Sequence, residues 1–287
     1  KVFRIFQLII LEIKDTMKIK YLKCDWGMEN FGNPKERLKM YKNAGYDGVE
    51  CANIGMDAQE FADYTDELGL EYVAMVFCDT EKAFEEQLTE VINRKPILIN
   101  CHPGRDFWDF DRGCDFFTKI FKIASSVDVE VLYETHRTRL LYAPWTTKKY
   151  LEEFPDMNVT GDFSHFTTVS EGNMCGDGYK ELMDFIIPRT FHLHARVGYQ
   201  NGPQVPDPRV GMGLQWTERF EGWWDRVIQS CSDQGRKFIT INPEFGPPEY
   251  QPFHPSSGKP LADIWDICLW MTNRFKERWD QNASRLT

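Results

Sequence analysis

The sequence predicts a single (β/α)8 barrel. Strand-like and helix-like segments alternate eight times after Met17, and no long block is purely helical or purely strand. Such alternation favours a parallel sheet, and eight strands are the number that closes into a barrel. A length of 287 residues, 42% of them apolar, suits one domain of this kind. An open doubly wound sheet is the alternative, which is disfavoured because no phosphate-cradling glycine motif follows an early strand.

The first 16 residues differ from the rest of the chain. Phe6–Leu11 is mostly apolar, but it is shorter than a membrane span and is followed by Glu12. A decayed signal peptide is an alternative interpretation, although no small-residue cleavage pattern follows. We therefore expect residues 1–16 to be an extension outside the fold and residues 17–287 to form the barrel.

The first four strand–helix units are marked by helix start and stop signals. Pro34 opens a helix that Gly45 ends, and Asp57 caps a helix that Gly69 ends. The strands are the short apolar runs that lie between these signals. The predicted elements are strand 19–24, helix 33–44, strand 48–51, helix 57–68, strand 71–77, helix 81–94, strand 96–101 and helix 111–126.

The last four units follow the same pattern, with Pro144 opening one helix and Gly235 ending another. Residues 197–215 are rich in glycine and proline, so we predict a long loop without helix there and regard it as a candidate lid. The predicted elements are strand 129–134, helix 144–153, strand 158–163, helix 178–187, strand 189–195, helix 216–234, strand 238–242 and helix 260–279.

The seventh strand carries polar side chains on one face. Alternation places Phe191 and Leu193 on one side and His192, His194 and Arg196 on the other. The plain interpretation is a half-buried strand whose polar face meets water. A functional interpretation gains support because three other strand-like runs end in a carboxylate.

Those carboxylates and one imidazole form a candidate metal site. Glu134, Asp162, His194 and Glu244 follow or end the fifth to eighth strands, and barrel active sites lie at the carboxyl ends of the strands. Three gathered carboxylates need a cation among them. With one imidazole, the set suits one divalent metal ion such as manganese, cobalt, magnesium or zinc. The plain alternatives are an ion pair of Glu134 with a following arginine and a turn cap by Asp162.

The order of these residues resembles the xylose isomerase-like barrel superfamily, which includes sugar phosphate isomerases and epimerases. The likeness is greatest to the ketose 3-epimerase, hydroxypyruvate isomerase and keto-inositol dehydratase branch, and it spans nearly the whole chain from Met17. Its motifs are the Asp162-x-x-His165 pair and the His-x-His of the seventh strand. The resemblance implies that Glu134, Asp162, His194 and Glu244 bind the metal, that Glu134 and Glu244 are the catalytic acid/base pair, and that His165 contacts substrate.

Further candidates for substrate binding are Arg196, His102 and His136. The epimerases have an arginine farther beyond the strand-seven histidine than Arg196 is here, so that contact need not be shared. His102 could line the pocket, and His136 could bind a substrate oxygen or belong to a surface ion pair. We expect His192 to hold a metal ligand in position without binding the metal itself. The alternative is an ordinary hydrogen-bonded histidine.

A hydroxy-carbonyl substrate bound to the metal could lose a carbon-bound proton to one glutamate, giving a metal-stabilised enediolate. Return of the proton would give epimerisation or isomerisation of a sugar or sugar-like compound, whereas loss of a hydroxyl would make the protein a lyase acting on a keto-polyol or keto-glycoside. A catalytically silent sugar-binding barrel is a further alternative.

The composition excludes some partners. The net charge is −10, the pI is about 5.2 and no basic stripe occurs, so we expect no nucleic-acid partner. That charge and only six histidines also disfavour a hydrolase like the apurinic-site endonucleases. No later segment predicts a membrane span. The eight cysteines are dispersed, which favours reduced thiols and a cytoplasmic protein. The expected partner is a small carbohydrate, and homo-oligomer formation is left open.

Overall fold

The computed structural model describes residues 17–283, with side chains up to Trp279, so the predicted extension over residues 1–16 lies outside the described residues. Eight parallel strands close into a barrel in chain order, which confirms the predicted fold class. The strands are β1 Lys18–Cys24, β2 Gly48–Cys51, β3 Glu71–Cys78, β4 Leu98–Pro103, β5 Val131–Glu134, β6 Val159–Gly161, β7 Thr190–His194 and β8 Phe238–Asn242.

Helices alternate with the strands and surround the barrel. Short 3-10 turns at Glu29–Phe31 and Ile187–Arg189 supplement them. The α-helices are α1 Pro34–Asn43, α2 Ala58–Leu68, α3 Glu81–Ile92, α4 Phe110–Ala124, α5 Pro144–Glu153, α6 Ser164–Val169, α7 Asp177–Ile186, α8 Gly211–Asp233 and α9 Ile264–Ala283.

The sheet closes where β8 pairs with β1. Tyr21 pairs with Ile241, and the Asn242 side-chain oxygen accepts a hydrogen bond from the Cys24 backbone N–H at 3.1 Å. Because every strand is parallel to its neighbours, all eight carboxyl ends open on the same face of the barrel. Side chains that leave those ends therefore share one space.

The two faces of the sheet have different chemistry. The outer face packs apolar side chains against the helices; for example, Tyr133 of β5 meets Phe117 of α4 with ring centroids 5.5 Å apart. The inner face holds buried polar groups, including Glu50, Asn100 and Thr240. The strict two-residue period of a strand separates the two sets.

The long loop predicted over residues 197–215 is shorter than expected, because α8 already begins at Gly211. The glycine at position 213 is required by packing within a helix and does not mark a loop. An added Cβ at Gly213 would lie 1.9 Å from the backbone oxygen of Asp207. The Thr217 hydroxyl then ties this first turn of α8 to the Pro208 carbonyl oxygen at 2.9 Å.

Two other boundaries differ from the prediction for local reasons. The predicted strand 158–163 ends at Gly161, and α6 begins at Ser164, whose backbone N–H turns back to donate to the Asp162 carboxylate at 3.0 Å. The predicted helix 260–279 begins later. Pro260 pairs with Phe253 in an isolated antiparallel bridge, and Asp263 caps α9 by accepting the Trp265 N–H at 2.8 Å.

No helix within residues 17–283 combines the length and the apolar character that crossing a bilayer requires. The eight cysteines, all of which lie in the described residues, form no disulfide.

The contact at Gly213 gives a matched pair of stability predictions. Gly213→Ala should destabilise the protein by about 1–3 kcal/mol, because the Asp207 carbonyl group leaves no room for a methyl group. Gly222→Ala, in the exposed interior of the same helix with no atom within 4 Å of an added Cβ, should be neutral or stabilising by up to about 1 kcal/mol. Urea unfolding of both variants tests this, and equal effects would contradict it.

Candidate metal centre and cavity

The predicted metal ligands converge at the carboxyl ends of the strands. One ligand atom from each of Glu134, Asp162 and His194 lies within 4.8 Å of the other two. The fourth residue, Glu244, brings its Oε2 to 3.0 Å from His194 Nδ1, and Glu134 Oε2 lies 3.4 Å from the same nitrogen. Metal–ligand bonds of about 2.0–2.2 Å place the donors of one ion about 3–4.4 Å apart, so small side-chain shifts would complete a coordination shell.

Arg196 lies inside this cluster. Its guanidinium donates to the Asp162 carboxylate from Nε at 3.1 Å and from a terminal nitrogen at 2.5 Å, and that nitrogen is 3.1 Å from Glu244 Oε2. The other Asp162 oxygen accepts the Ser164 N–H and hydroxyl. Asp162 is therefore held in place by protein contacts on both carboxylate oxygens.

Burial and charge shift the pKa values of the cluster in different directions. Burial alone would raise the pKa of Glu134, but the neighbouring His102 and His194 imidazoles outweigh it and hold that pKa well below its usual range. Burial opposes a charge on His194, yet Glu50, Glu244 and Glu134 together raise its pKa well above the ordinary value.

Asp162 behaves differently from the glutamates. Burial raises the pKa of Asp162 in spite of the opposing Arg196 guanidinium. For Arg196 itself, burial works against the charge, but Asp162 and Glu244 raise its pKa. The cluster thus contains several buried carboxylates and two groups that can carry a positive charge. The Arg196 guanidinium is always charged, whereas the charge of the His194 imidazole depends on its protonation.

The donor set fits a divalent ion. The buried atoms His194 Nδ1 and Glu244 Oε2 lie 3.0 Å apart. A divalent ion bound between the glutamates would replace a proton at this contact and accept a lone pair from each of the two atoms. Two or three carboxylates with one imidazole are a ligand set typical of manganese, magnesium, cobalt or zinc.

A cavity of about 390 Å³ opens above the cluster. Glu134, Glu244 and Arg196 line its floor, together with His102 and His136. Its wall comes from β3 and from the segments after β1, β2 and β8. The wall residues are Asp25, Trp26, Glu29, Ala52, Asn53, Phe77 and Tyr250.

Aromatic rings form part of this wall. Trp26 and Tyr250 meet edge to face, with ring centroids 5.3 Å apart. The guanidinium of Arg196 lies 4.7 Å from the Tyr250 ring centre, which fixes the ring above the cluster. An added Cβ at Gly246 would collide with the Trp26 ring at 2.3 Å, so glycine is required there for the indole to pack.

The predicted substrate-binding histidines form a row beside Glu134. His102 Nε2 lies 2.8 Å from Glu134 Oε2, so this imidazole is in direct contact with the carboxylate. The His102 and His136 ring centroids are 5.3 Å apart, and those of His136 and His165 are 3.9 Å apart. His102 and His136 line the cavity, whereas His165 is fully buried behind it. Burial lowers the pKa of His136 to about 3 and that of His165 well below its ordinary value.

His192 and a residue that sequence reasoning missed lie beneath the cluster. Glu50 of β2 has one carboxylate oxygen 3.0 Å from His192 Nε2 and the other 2.9 Å from His194 Nε2. Burial would raise the pKa of Glu50, but the two imidazoles hold it well below the usual range. The signal was present in the sequence, because Glu50 is a carboxylate at the end of a short apolar strand.

Asn100 and Tyr250 were also missed. Asn100 of β4 donates to Glu134 Oε2 at 2.7 Å, and it had no signal beyond a polar residue within an apolar run. Tyr250 follows β8 in a loop whose sequence gives no periodicity to place its ring.

The loop after β7 is fastened to the loop after β8. The Gln204 side chain donates to the Gly246 carbonyl oxygen at 3.1 Å and accepts the Gly246 N–H at 2.7 Å. Val197 and Val205 are fully buried, and their backbones are joined by a hydrogen bond of 2.8 Å. These contacts do not support the expected lid, because they tie its first half to the segment that carries Glu244.

Comparison with known proteins identifies relatives in structure only. No protein-family model and no curated protein sequence matches the chain. A probable 3-DHS dehydratase, AsbF, involved in petrobactin synthesis in Bacillus anthracis, aligns with a TM-score of 0.55 and 16% identity over 80% of this chain and 94% of that one. A sugar phosphate isomerase/epimerase from Parabacteroides distasonis aligns with a TM-score of 0.52 and 10% identity over 83% and 91%.

A third similar structure is a fusion of a xylose isomerase-like TIM barrel with a 4-hydroxyphenylpyruvate dioxygenase. It aligns with a TM-score of 0.57 and 14% identity over 93% of this chain, which spans 44% of the fusion protein. The predicted likeness to xylose isomerase-like barrels is therefore confirmed at the level of the fold.

The buried ion pair of Arg196 gives a stability prediction. Arg196→Gln should cost about 3–5 kcal/mol in the presence of a chelator, because it leaves the Asp162 carboxylate buried without its cation. Arg236→Gln is the control, since its pair with Glu130 is partly exposed and should be worth about 0–1 kcal/mol. Denaturant unfolding measures both losses, and similar small losses would contradict the assignment.

Proposed function

We propose that this protein is a divalent-metal-dependent isomerase or epimerase that acts on a sugar or a sugar-like hydroxy-carbonyl compound. The observation that carries the proposal is the convergence of Glu134 and Glu244, which line one cavity, on the buried His194 Nδ1 beneath it. The dehydratase and the sugar phosphate isomerase/epimerase named above support the fold, whereas the chemistry is argued from the side chains.

The proposed ligands of the metal are Glu134, Asp162, His194 and Glu244. The ion would act as a Lewis acid that polarises a carbonyl oxygen of the substrate and lowers the cost of removing a neighbouring carbon-bound proton. Arg196 orients Asp162 through its guanidinium, and Asn100 orients Glu134 through its amide. These contacts keep the carboxylates in position while substrate enters and leaves.

Glu134 and Glu244 are the proposed acid/base pair. They extend from β5 and from just beyond β8, both are buried, and both line the cavity, so each can reach a carbon atom bound above the cluster. One carboxylate would remove a proton and the other would return it. Return to the same carbon gives epimerisation, and return to its neighbour gives isomerisation.

The cavity suits a monosaccharide-sized ligand. Its volume of about 390 Å³ is near the lower end of the range for small-molecule sites. Trp26 and Tyr250 offer ring faces and edges to a sugar, and the histidines His102 and His136 offer nitrogens to its hydroxyl groups.

A lyase that acts on a keto-polyol or keto-glycoside is the second candidate. It is favoured by the imidazoles of His102 and His136 in the cavity, because proton exchange between two carbons needs only the glutamate pair. Loss of a hydroxyl group needs a further proton donor, and the His102 imidazole, 2.8 Å from Glu134 Oε2, lies near enough to the cavity floor to supply it, whereas the low pKa of His136 makes that imidazole a poor donor.

Metal binding is the first test. The purified protein should bind one manganese ion per chain by elemental analysis and by titration. Asp162→Asn should weaken binding at least tenfold, because it removes an anionic ligand. Asp63→Asn, an exposed change on α2, is the matched control and should leave the affinity unchanged. A wild-type protein that binds no divalent ion would contradict the proposal.

Proton exchange is the second test. With saturating manganese in deuterated water, a panel of keto sugars should take up solvent deuterium, and Glu244→Gln should slow uptake by at least about 100-fold because it removes an acid/base group. Glu60→Gln, on the surface of α2, is the control and should match wild type.

The mass of the product separates the candidates. Conserved mass indicates isomerisation or epimerisation, whereas loss of water indicates the lyase. Metal binding without any deuterium uptake in the wild-type protein would leave only a sugar-binding barrel and would overturn the enzymatic proposal.

A further inference from the structure

Glu50 occupies the centre of the polar interior beneath the candidate metal site. It is fully buried and does not line the cavity, so it touches no substrate. Its two carboxylate oxygens face the two histidines of β7, His192 and His194. The function proposed above assigns no role to this residue.

We propose that Glu50 is a positioning residue. It determines which of the two ring nitrogens of His194 binds the metal. A carboxylate can only accept hydrogen bonds, so the His194 Nε2 at 2.9 Å must carry a proton and donate it. In a neutral imidazole the other nitrogen then has the free lone pair. That nitrogen, Nδ1, faces Glu134 and Glu244. The inference rests on the proposed metal site.

The orientation of Glu50 is itself fixed from the opposite side. Asn242 accepts the Cys24 N–H through its side-chain oxygen at 3.1 Å, so its amide nitrogen must point towards Glu50, where it donates to Oε2 at 2.7 Å. His192 Nε2 lies 3.0 Å from the same oxygen, and its Nδ1 lies 3.0 Å from the Thr240 carbonyl oxygen and 2.7 Å from the Thr240 hydroxyl. The Asn242 amide, whose orientation is fixed by Cys24, therefore requires an acceptor at Oε2.

This asymmetry predicts what a nearly isosteric change would do. In Glu50→Gln the side-chain oxygen should stay next to Asn242, whose amide nitrogen is 2.7 Å from Oε2, because the donor that faces Oε1, the Asn100 amide nitrogen, is farther away at 3.3 Å and has Glu134 as an acceptor. The amide nitrogen of the glutamine is then placed at the position of Oε1, opposite His194 Nε2. An amide nitrogen donates, and Nε2 would have to accept. The proton of a neutral His194 would then move to Nδ1 and occupy the lone pair that the metal needs.

Metal affinity is the first measurement. Manganese binding to the full chain, followed by the electron paramagnetic resonance signal of the free ion, should be about 10–100-fold weaker in Glu50→Gln than in wild type. Glu71→Gln, at the opposite end of the barrel in a partly exposed pair with Lys20, is the matched control and should bind like wild type. Circular dichroism and thermal unfolding of both variants without metal check that they are folded.

The position of the proton is the second measurement, and it also works on the wild-type protein alone. With zinc as a diamagnetic probe and ¹⁵N-labelled histidine, nuclear magnetic resonance should show His194 bound to zinc through Nδ1 and protonated at Nε2. Glu50→Asp keeps an acceptor in place and should retain this pattern with an affinity above that of Glu50→Gln. A merely structural role of Glu50 would not change which nitrogen is protonated.

The outcomes separate the two proposals. Zinc bound through Nε2 in wild type, or equal manganese affinities for wild type and Glu50→Gln, would overturn the role of Glu50 and leave the metal site intact. A wild-type protein that binds neither manganese nor zinc would overturn the metal site and the role of Glu50 together.

Discussion

The hydrogen bonds between β8 and β1 are the constraint on which the site depends. Without closure, the carboxyl ends of β2 and β7 would lie at distant places in an open sheet, and Glu50 could not reach the histidines of β7. Asn242 shows how directly closure and site are linked. Its amide joins the β1 backbone to the Glu50 carboxylate across the seam between the first and last strands. The same contacts that complete the barrel therefore orient the side chains inside it.

Closure also imposes an electrostatic problem, since it buries carboxylates from β2, β5 and the segments after β6 and β8 in one interior. Burying an unpaired charge costs several kcal/mol, so each carboxylate needs a partner. Asp162 has Arg196, Glu50 has two imidazoles, and Glu134 has Asn100 and His102 nearby. Glu244 lines the cavity and lies 3.0 Å from His194 Nδ1 and 3.1 Å from an Arg196 nitrogen. The candidate metal position between Glu244 and His194 therefore borders the cavity, where a ligand could reach it.

Much of the fold could be predicted because strand and helix periods and capping residues are local properties. The inward face of β7 followed from alternation alone, and the structure confirms that His192 and His194 share it. The errors occurred where contacts without a periodic sequence pattern decide the local conformation. Gly213 resembles a loop glycine in sequence, but it lies in α8 against the Asp207 carbonyl group, and that contact depends on how the backbone between the two residues turns. The start of α6 depends on Asp162, which Arg196 holds in place.

The same distinction explains which site residues were found. Glu134 is the last residue of β5 and Glu244 follows β8, so both carboxylates stand out at a strand end. Glu50 lies within β2, before Cys51, and its importance becomes visible only when β7 is placed across the barrel from it. Tyr250 belongs to a loop, where no periodicity indicates the direction of a ring.

The pair of hydrogen bonds between Gln204 and Gly246 determines which side of the cavity is open to solvent. It closes the side of the cavity that lies above β7 and β8, where the loop backbone is buried and pinned. The side above β1, β2 and β3 ends in the exposed side chains of Trp26, Glu29, Asn53 and Phe77. A small molecule that reaches the bottom of the cavity would pass between these aromatic, polar and acidic side chains, which could therefore select compounds by size before any contact with the buried glutamates.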